Sequence, residues 1–136
     1  MVGIVLVTHG KIGEEMIRAA LSIVKEKPPL RGVSLEHGEE VETMRRKIQE
    51  AIAQVDQGHG VLLLSDMFGG TPSNLCLSFL EEGKTEVVTG VNLPMLIKLA
   101  SLKEDRPLLE IATFIKTYGQ KNIARAGEVL KEGSDL

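Results

Sequence analysis

An α/β fold is what this sequence predicts: a doubly wound, mainly parallel sheet with helices on both faces. Three observations lead there. Strand-like and helix-like periodicities alternate along the whole chain. The first and third strand candidates are near-continuous apolar runs, as strands buried on both faces are. No linker, repeat or low-complexity tract interrupts the alternation. With 136 residues, the whole span 1–136 is expected to form a single domain, burying roughly two thirds of its unfolded surface.

The first strand is expected over Val2 to Val7. A helix follows in which Ile12, Met16, Ala19, Ala20 and Ile23 recur at helical spacing, and Pro28-Pro29 prevents its continuation. A short second strand lies around Gly32 to Leu35. Gly38 then opens a helix that turns Val41, Met44, Ile48, Ile52 and Val55 inward, with Glu39, Glu40 and Glu42 complementing the dipole at its first turn. Gly58-His59-Gly60 ends it, and Val61 to Leu64 forms the third and most apolar strand. Gly69-Gly70-Thr71-Pro72 leads into a helix through Leu80, with Thr71 suited to the N-cap and Pro72 to the first helical position. Glu86 to Val91 is a fourth strand; Pro94 opens a short helix to about Leu102, and Leu108 to Tyr118 forms another. Lys121 to Leu130 fits no element clearly.

Composition narrows the function. Hydrophobic residues at 43% and charged residues at 26% match ordinary globular usage and exclude a disordered or fibrous chain. A net charge of −3, with Lys and Arg scattered, provides no basic face for nucleic acid. No apolar run approaches the roughly 20 residues of a membrane span, and Met1-Val2-Gly3 opens a strand without a signal-peptide pattern, so a cytoplasmic location is expected. Cys76, the single cysteine, lies between Leu75 and Leu77 as a buried, inert thiol would.

The chemistry concentrates at two strand ends. His9 closes Val5-Leu6-Val7-Thr8-His9-Gly10, and Asp66 closes Leu62-Leu63-Leu64-Ser65-Asp66. Ligands of open parallel sheets bind beyond the carboxyl ends of the strands, where strand order reverses. With the order 2-1-3-4, that point lies between the strands ending at His9 and Asp66. A carboxylate accepting the proton of one imidazole nitrogen fixes the tautomer and leaves the other nitrogen nucleophilic. Gly69 and Gly70 permit close backbone approach, Thr71 and Ser73 add hydroxyls, and Gly10 opens a second helix start beside them. Together they suggest an imidazole facing a pocket for a tetrahedral anion, of which a phosphoryl group is the common biological case. A structural His–Asp hydrogen bond is the alternative reading of the same two residues.

Thr8-His9-Gly10 and Asp66-Met67-Phe68-Gly69-Gly70-Thr71-Pro72-Ser73-Asn74, followed by Gly90-Val91-Asn92-Leu93-Pro94-Met95-Leu96, resemble the mannose-family IIA domain of the bacterial sugar phosphotransferase system. The resemblance spans roughly the first hundred residues in order and spacing. It implies that His9 is phosphorylated on Nε2 by the phosphohistidine of the carrier HPr and passes the group to a IIB partner. It further implies that Asp66 holds the other ring nitrogen, that Gly69, Gly70 and Thr71 border the phosphoryl group, and that Asn92 orders its loop. The implied fold has four parallel strands in the order 2-1-3-4, with a fifth antiparallel strand exchanged in a homodimer; Lys121 to Leu130 is the candidate segment. No metal, nucleotide or other cofactor is invoked, since transfer between imidazoles breaks and makes the same kind of N–P bond and no Walker loop is present.

Two departures bear on the transfer. The chain stops at Leu136 without the linker and IIB domain fused to some relatives, so a separate IIB is expected. Met67 stands where relatives can carry a hydroxyl residue. Among rival readings, the chain could act as a regulatory binding module whose phosphorylation state or anion pocket controls a partner. His37 could complete a metal site with His9 and Asp66, although a solvated position ahead of the second helix is the simpler reading. His59 reads as a turn residue at the opposite edge. Gly10, Gly13 and Glu36 lack the spacing of a dinucleotide fingerprint. Arg45-Arg46-Lys47 reads as a solvated helix face, and Glu39, Glu40 and Glu42 could meet a basic carrier.

Overall fold

Alternate residues of the inner strands feed two separate cores, and this division sets the architecture. The computed structural model describes residues 1–26 and 28–131. Its elements are β1 (Gly3–His9), α1 (Ile12–Ile23), β2 (Leu30–Leu35), α2 (Val41–Val55) and β3 (Val61–Ser65), then α3 (Thr71–Leu77), β4 (Thr85–Thr89), α4 (Leu93–Ser101), α5 (Leu108–Lys121) and α6 (Ala126–Lys131). The four strands are parallel in the order β2-β1-β3-β4, as the sequence predicts. Ile4, Leu6, Leu62 and Leu64 pack into one core with residues of α1, α4 and α5. Val5, Val7, Val61 and Leu63 point the other way, into a core completed by α2 and α3. Leu6, Leu62, Leu63 and Leu64 have no measurable exposure, so the central strands gain the full burial that their apolar runs require.

Helix α1 departs from the stripe read in the sequence. Ile12 and Ile23 are exposed, while Gly13, Ala20 and Val24 are buried. Gly13 sets this rotation. A Cβ there would lie 2.9 Å from Thr8 Oγ1 and 3.1 Å from Leu6 Cγ, and the Gly13 N–H donates to Thr8 Oγ1 at 2.9 Å. Close backbone approach at a small residue outweighs burial of a terminal isoleucine. In α2, Met44, Ile48 and Val55 face inward as expected, but Ala51 is buried whereas Ile52 is partly buried, and Val41 at the exposed first turn stays outside.

Other boundaries shift for local reasons. Gly70, at φ +85°, is the N-cap of α3, and Thr71 is its first helical residue without a side-chain capping bond. Helix α3 stops at Leu77 rather than Leu80; Ser78, Phe79 and Leu80 continue in tight turns to Leu75, Cys76 and Leu77 carbonyls. Strand β4 ends at Thr89, and the Val91 N–H still donates to Ser65 O at 3.0 Å. The exchanged strand is not seen in the single chain: α5 runs to Lys121, residues 122–125 are irregular, and α6 follows with no buried residue. In the single chain this segment has no strand beside it to pair with, and local helical hydrogen bonds such as Val129 N–H to Arg125 O form instead.

Asn92 ties the last helices together. Its Oδ1 accepts from Met95 N–H at 3.2 Å, capping α4, and its Nδ2 donates to Gly119 O of α5 at 3.0 Å. This is the loop-ordering role read from the sequence. Asn92→Ala is expected to cost about 1–2 kcal/mol by chemical denaturation, and Asn92→Asp, which retains the capping oxygen but loses the Nδ2 donor, to cost less. Equal losses would place the energy in the Nδ2–Gly119 bond alone.

Candidate functional site

Strands β1 and β3 are direct neighbours, with Val7 opposite Ser65, so both chains leave the sheet side by side at its carboxyl edge. His9 and Asp66 meet there. Asp66 Oδ2 lies 2.8 Å from His9 Nδ1 and also accepts the His9 backbone N–H at 3.0 Å. Its other oxygen accepts Met67 N–H at 3.1 Å. An ionised carboxylate only accepts, so Nδ1 carries the proton and Nε2 keeps the lone pair of the neutral ring. The Asp66 side chain is 15% exposed and that of His9 49%: the anchoring carboxylate is sheltered and the imidazole ring open.

The glycine loop closes on Nε2. A Cβ at Gly70 would stand 3.3 Å from Nε2 and 3.4 Å from Cε1, and Gly69 and Gly70 both adopt positive φ near 90°, a region L side chains avoid. Thr71 is exposed beside them, and with no capping bond its hydroxyl is free to face a ligand. A cleft of about 370 Å³ opens here, lined by His9, Gly10, Glu36, His37, Thr71 and Pro72 among others.

Two expected anion contacts are placed differently. Ser73 is fully buried and its hydroxyl donates to Gly70 O at 3.4 Å, so it braces the loop from inside. Gly10 lines the cleft, but its N–H donates to Leu35 O at 3.0 Å and contributes shape rather than a free donor. The pivot that sequence reasoning missed is Thr8. Fully buried, it accepts from Gly13 N–H and donates to Gly10 O at 3.2 Å, fixing the turn after His9. A hydroxyl at the end of an otherwise apolar strand was the available signal.

Remaining candidates sort by position. His37 lines the cleft with His9, yet among the described residues no three His, Cys, Asp or Glu side chains gather closely enough for a metal ion. His59 lies at the opposite edge, its Nδ1 3.4 Å from the amino-terminal nitrogen. Cys76 is buried, and desolvation, aided by the Asp66 charge, pushes its thiol up to about 12, so it is inert. Met67 and Phe68 at the loop tip are exposed. The basic run is less solvated than its sequence suggests: Arg45 Nη1 donates to Ser78 Oγ at 3.0 Å, and Lys47 Nζ donates to Ser34 O and pairs with Glu39 at 2.7 Å. Glu39 precedes α2 instead of loading its first turn; its Oε1 accepts the Glu36 N–H at 2.6 Å, latching the turn that carries His37.

Residues 3–116 match the EIIA-man family, described as "PTS system fructose IIA component". This chain belongs to that family. The IIA chain is 30% identical over 133 residues to the fructose-specific EIIA component of Bacillus subtilis, covering 97% of this chain and 91% of that protein. It is 32% identical over 107 residues to the mannose-specific EIIAB component of Escherichia coli K12, covering 78% of this chain but 33% of that longer protein. Its fold superposes on the PTS IIA protein associated with the fucose utilization operon of Streptococcus pneumoniae with a TM-score of 0.82 and 27% identity, covering 94% of this chain and 95% of that one. The chain is thus a IIA component of the mannose family, a class of phosphotransfer proteins. Among the described residues of this IIA chain, no helix is long and apolar enough to cross a membrane.

The Glu39 latch makes the rim of the IIA site acid-sensitive. The Lys47 hydrogen bond first, and the Glu36 N–H second, hold its carboxyl below the ordinary 4.5. A lowered folded value contributes stability that is full above 4.5 and lost as pH falls through the folded value. Glu39→Gln is expected to melt below wild type near neutral pH. In paired melting curves across pH, that gap should close as pH falls well below 4.5; a constant gap would remove the carboxylate as its source.

Proposed function

We propose that this chain is a cytoplasmic phosphocarrier of the sugar phosphotransferase system. It accepts a phosphoryl group from the phosphohistidine of HPr on His9 Nε2 and passes it to a histidine of a IIB component. The observation that carries this reading is the His9 Nδ1–Asp66 contact of 2.8 Å, with Nε2 turned to the glycine loop. The Nε2 lone pair forms the new N–P bond as the bond to the donor imidazole breaks, and the donor nitrogen keeps the released electron pair. No proton needs to cross. The His9 ring gains positive character as it is phosphorylated, and the Asp66 carboxylate on Nδ1 stabilises that charge while fixing the ring for in-line approach. Transfer onward is the same step in reverse, with the IIB imidazole as acceptor.

The site residues of this reading are His9 as covalent carrier, Asp66 as the group that orients it, and Gly69, Gly70 and Thr71 around the phosphoryl group. Gly10 shapes the opposite wall of the cleft and Ser73 supports the loop from within. A homodimer also belongs to the proposal; among the described residues β4 pairs with β3 along one side, and beyond a single antiparallel bridge from Thr85 to Glu81 its outer edge is available to a second copy.

Incubation with phosphoenolpyruvate, the general phosphotransferase enzyme and HPr should add one acid-labile phosphoryl group, read by intact-mass spectrometry. His9→Ala should take up none. Asp66→Asn should fold normally and accept the group more slowly by roughly 100-fold, since the ring loses its charge partner and fixed tautomer. No added group on wild type with active controls would sink the proposal, and an unchanged rate for Asp66→Asn would remove its orienting role.

A further inference from the structure

A phosphoryl group on Nε2 brings up to two negative charges into the cleft, and the residues lining that cleft include neither Lys nor Arg. Among the described residues, cations of the flanking helices are engaged elsewhere, Lys47 by Glu39 and Ser34 O, Arg45 by Glu42 and Ser78, Arg18 by Glu15, and Arg46, exposed on α2, does not line the cleft. Lys11 is exposed at the N-cap of α1 and does not line the cleft. Apart from the nucleophile itself, His37 is the one lining residue able to bear positive charge. Its side chain is exposed, and among the described residues it makes no hydrogen bond or ion pair within the fold.

Placement supports a role toward a ligand. His9 is in register with Leu35, so the chain reaches His37 two residues beyond the partner of the nucleophile. The intervening turn is closed twice, by Glu36 N–H to Glu39 Oε1 at 2.6 Å and by Glu39 N–H to Glu36 O at 3.2 Å. Lys47 then anchors Glu39 to α2. An exposed imidazole with no fold partner is therefore held on a braced turn at the wall of the nucleophile's cleft.

We propose that His37 is a phosphoryl-contacting residue, whose ring N–H donates to an oxygen of the group carried on His9. An imidazole has an N–H to donate in either protonation state, so the contact serves both. It favours the phosphorylated form of this chain over that of the donor, because the donor N–H meets the charged oxygens only after transfer. The inference rests on the phosphocarrier reading above and names a further member of the same site.

The test is a partition measurement. The full chain, phosphorylated through HPr, is mixed with unphosphorylated HPr, and the distribution of the group at equilibrium is read by intact-mass spectrometry. H37A should move the balance toward phospho-HPr by about fivefold, the scale of one charge-assisted hydrogen bond discounted for exposure. H37Q, which keeps an N–H donor, should return it to within about twofold of wild type. Both variants should melt with wild type, since His37 has no partner in the fold to lose. Wild-type phosphorylation on His9 with an unchanged H37A partition would overturn the role of His37 while leaving the carrier reading intact. Absence of phosphorylation on wild type would overturn both.

Discussion

The geometry of the site depends on one carboxylate oxygen. Asp66 Oδ2 accepts both the backbone N–H and the ring Nδ1 of His9, so it holds the strand end and the imidazole together. A single acceptor gripping both fixes where the ring starts and how it is turned. The bond is possible only because β1 and β3 run parallel and adjacent, bringing residues 57 positions apart in sequence to the same edge. That adjacency in turn requires helices on both faces, because a parallel sheet with fully apolar central strands is stable only when covered twice.

Around this contact the backbone does more than the side chains. Gly70 brings α3 so near Nε2 that a methyl group would touch the ring, and its positive φ admits no ordinary residue without strain. Ser73 supports that loop from the core, while Thr8 fixes the turn on the other side of His9. The resulting opening is shaped by main chain, which moves little and needs no reorganisation as charge arrives. The side chains with freedom to respond, Thr71 and His37, lie on the cleft wall. In the proposed function, chemistry between two imidazoles, with nearly balanced N–P bonds, demands such positioning more than driving force.

The same economy appears in the packing. Two cores flank one sheet, and the helices that cover them approach through small residues: Gly13 against Thr8 and Leu6, Gly119 against Met95. Side-chain volume is concentrated on the strands. This arrangement leaves apolar residues at helix ends outside the core, Ile12 and Val41 at the active edge among them, with Met67 and Phe68 at the loop tip. Phosphoryl transfer between proteins takes place at that edge in the proposed function, so the exposed apolar side chains surround the place where a partner must come into contact.

Sequence by itself determined the class of fold, the order of its strands through the family resemblance, and the His9–Asp66 pair, because strand periodicity and residues at strand ends are local properties that survive without coordinates. It also identified Gly69 and Gly70 as the close-approach loop and Asn92 as a scaffold residue. Tertiary structure alone decided which face of α1 turns inward, since that rotation follows from contact between Gly13 and Thr8 rather than from a hydrophobic count. It likewise turned Ser73 into the core, engaged the Gly10 N–H with Leu35, moved Glu39 from helix dipole to latch, and formed a helix where an exchanged strand was expected. Each of these outcomes is a competition for a hydrogen-bond partner or a packing space supplied by another segment. Residue identity names the competitors, and only the assembled fold brings their partners within reach.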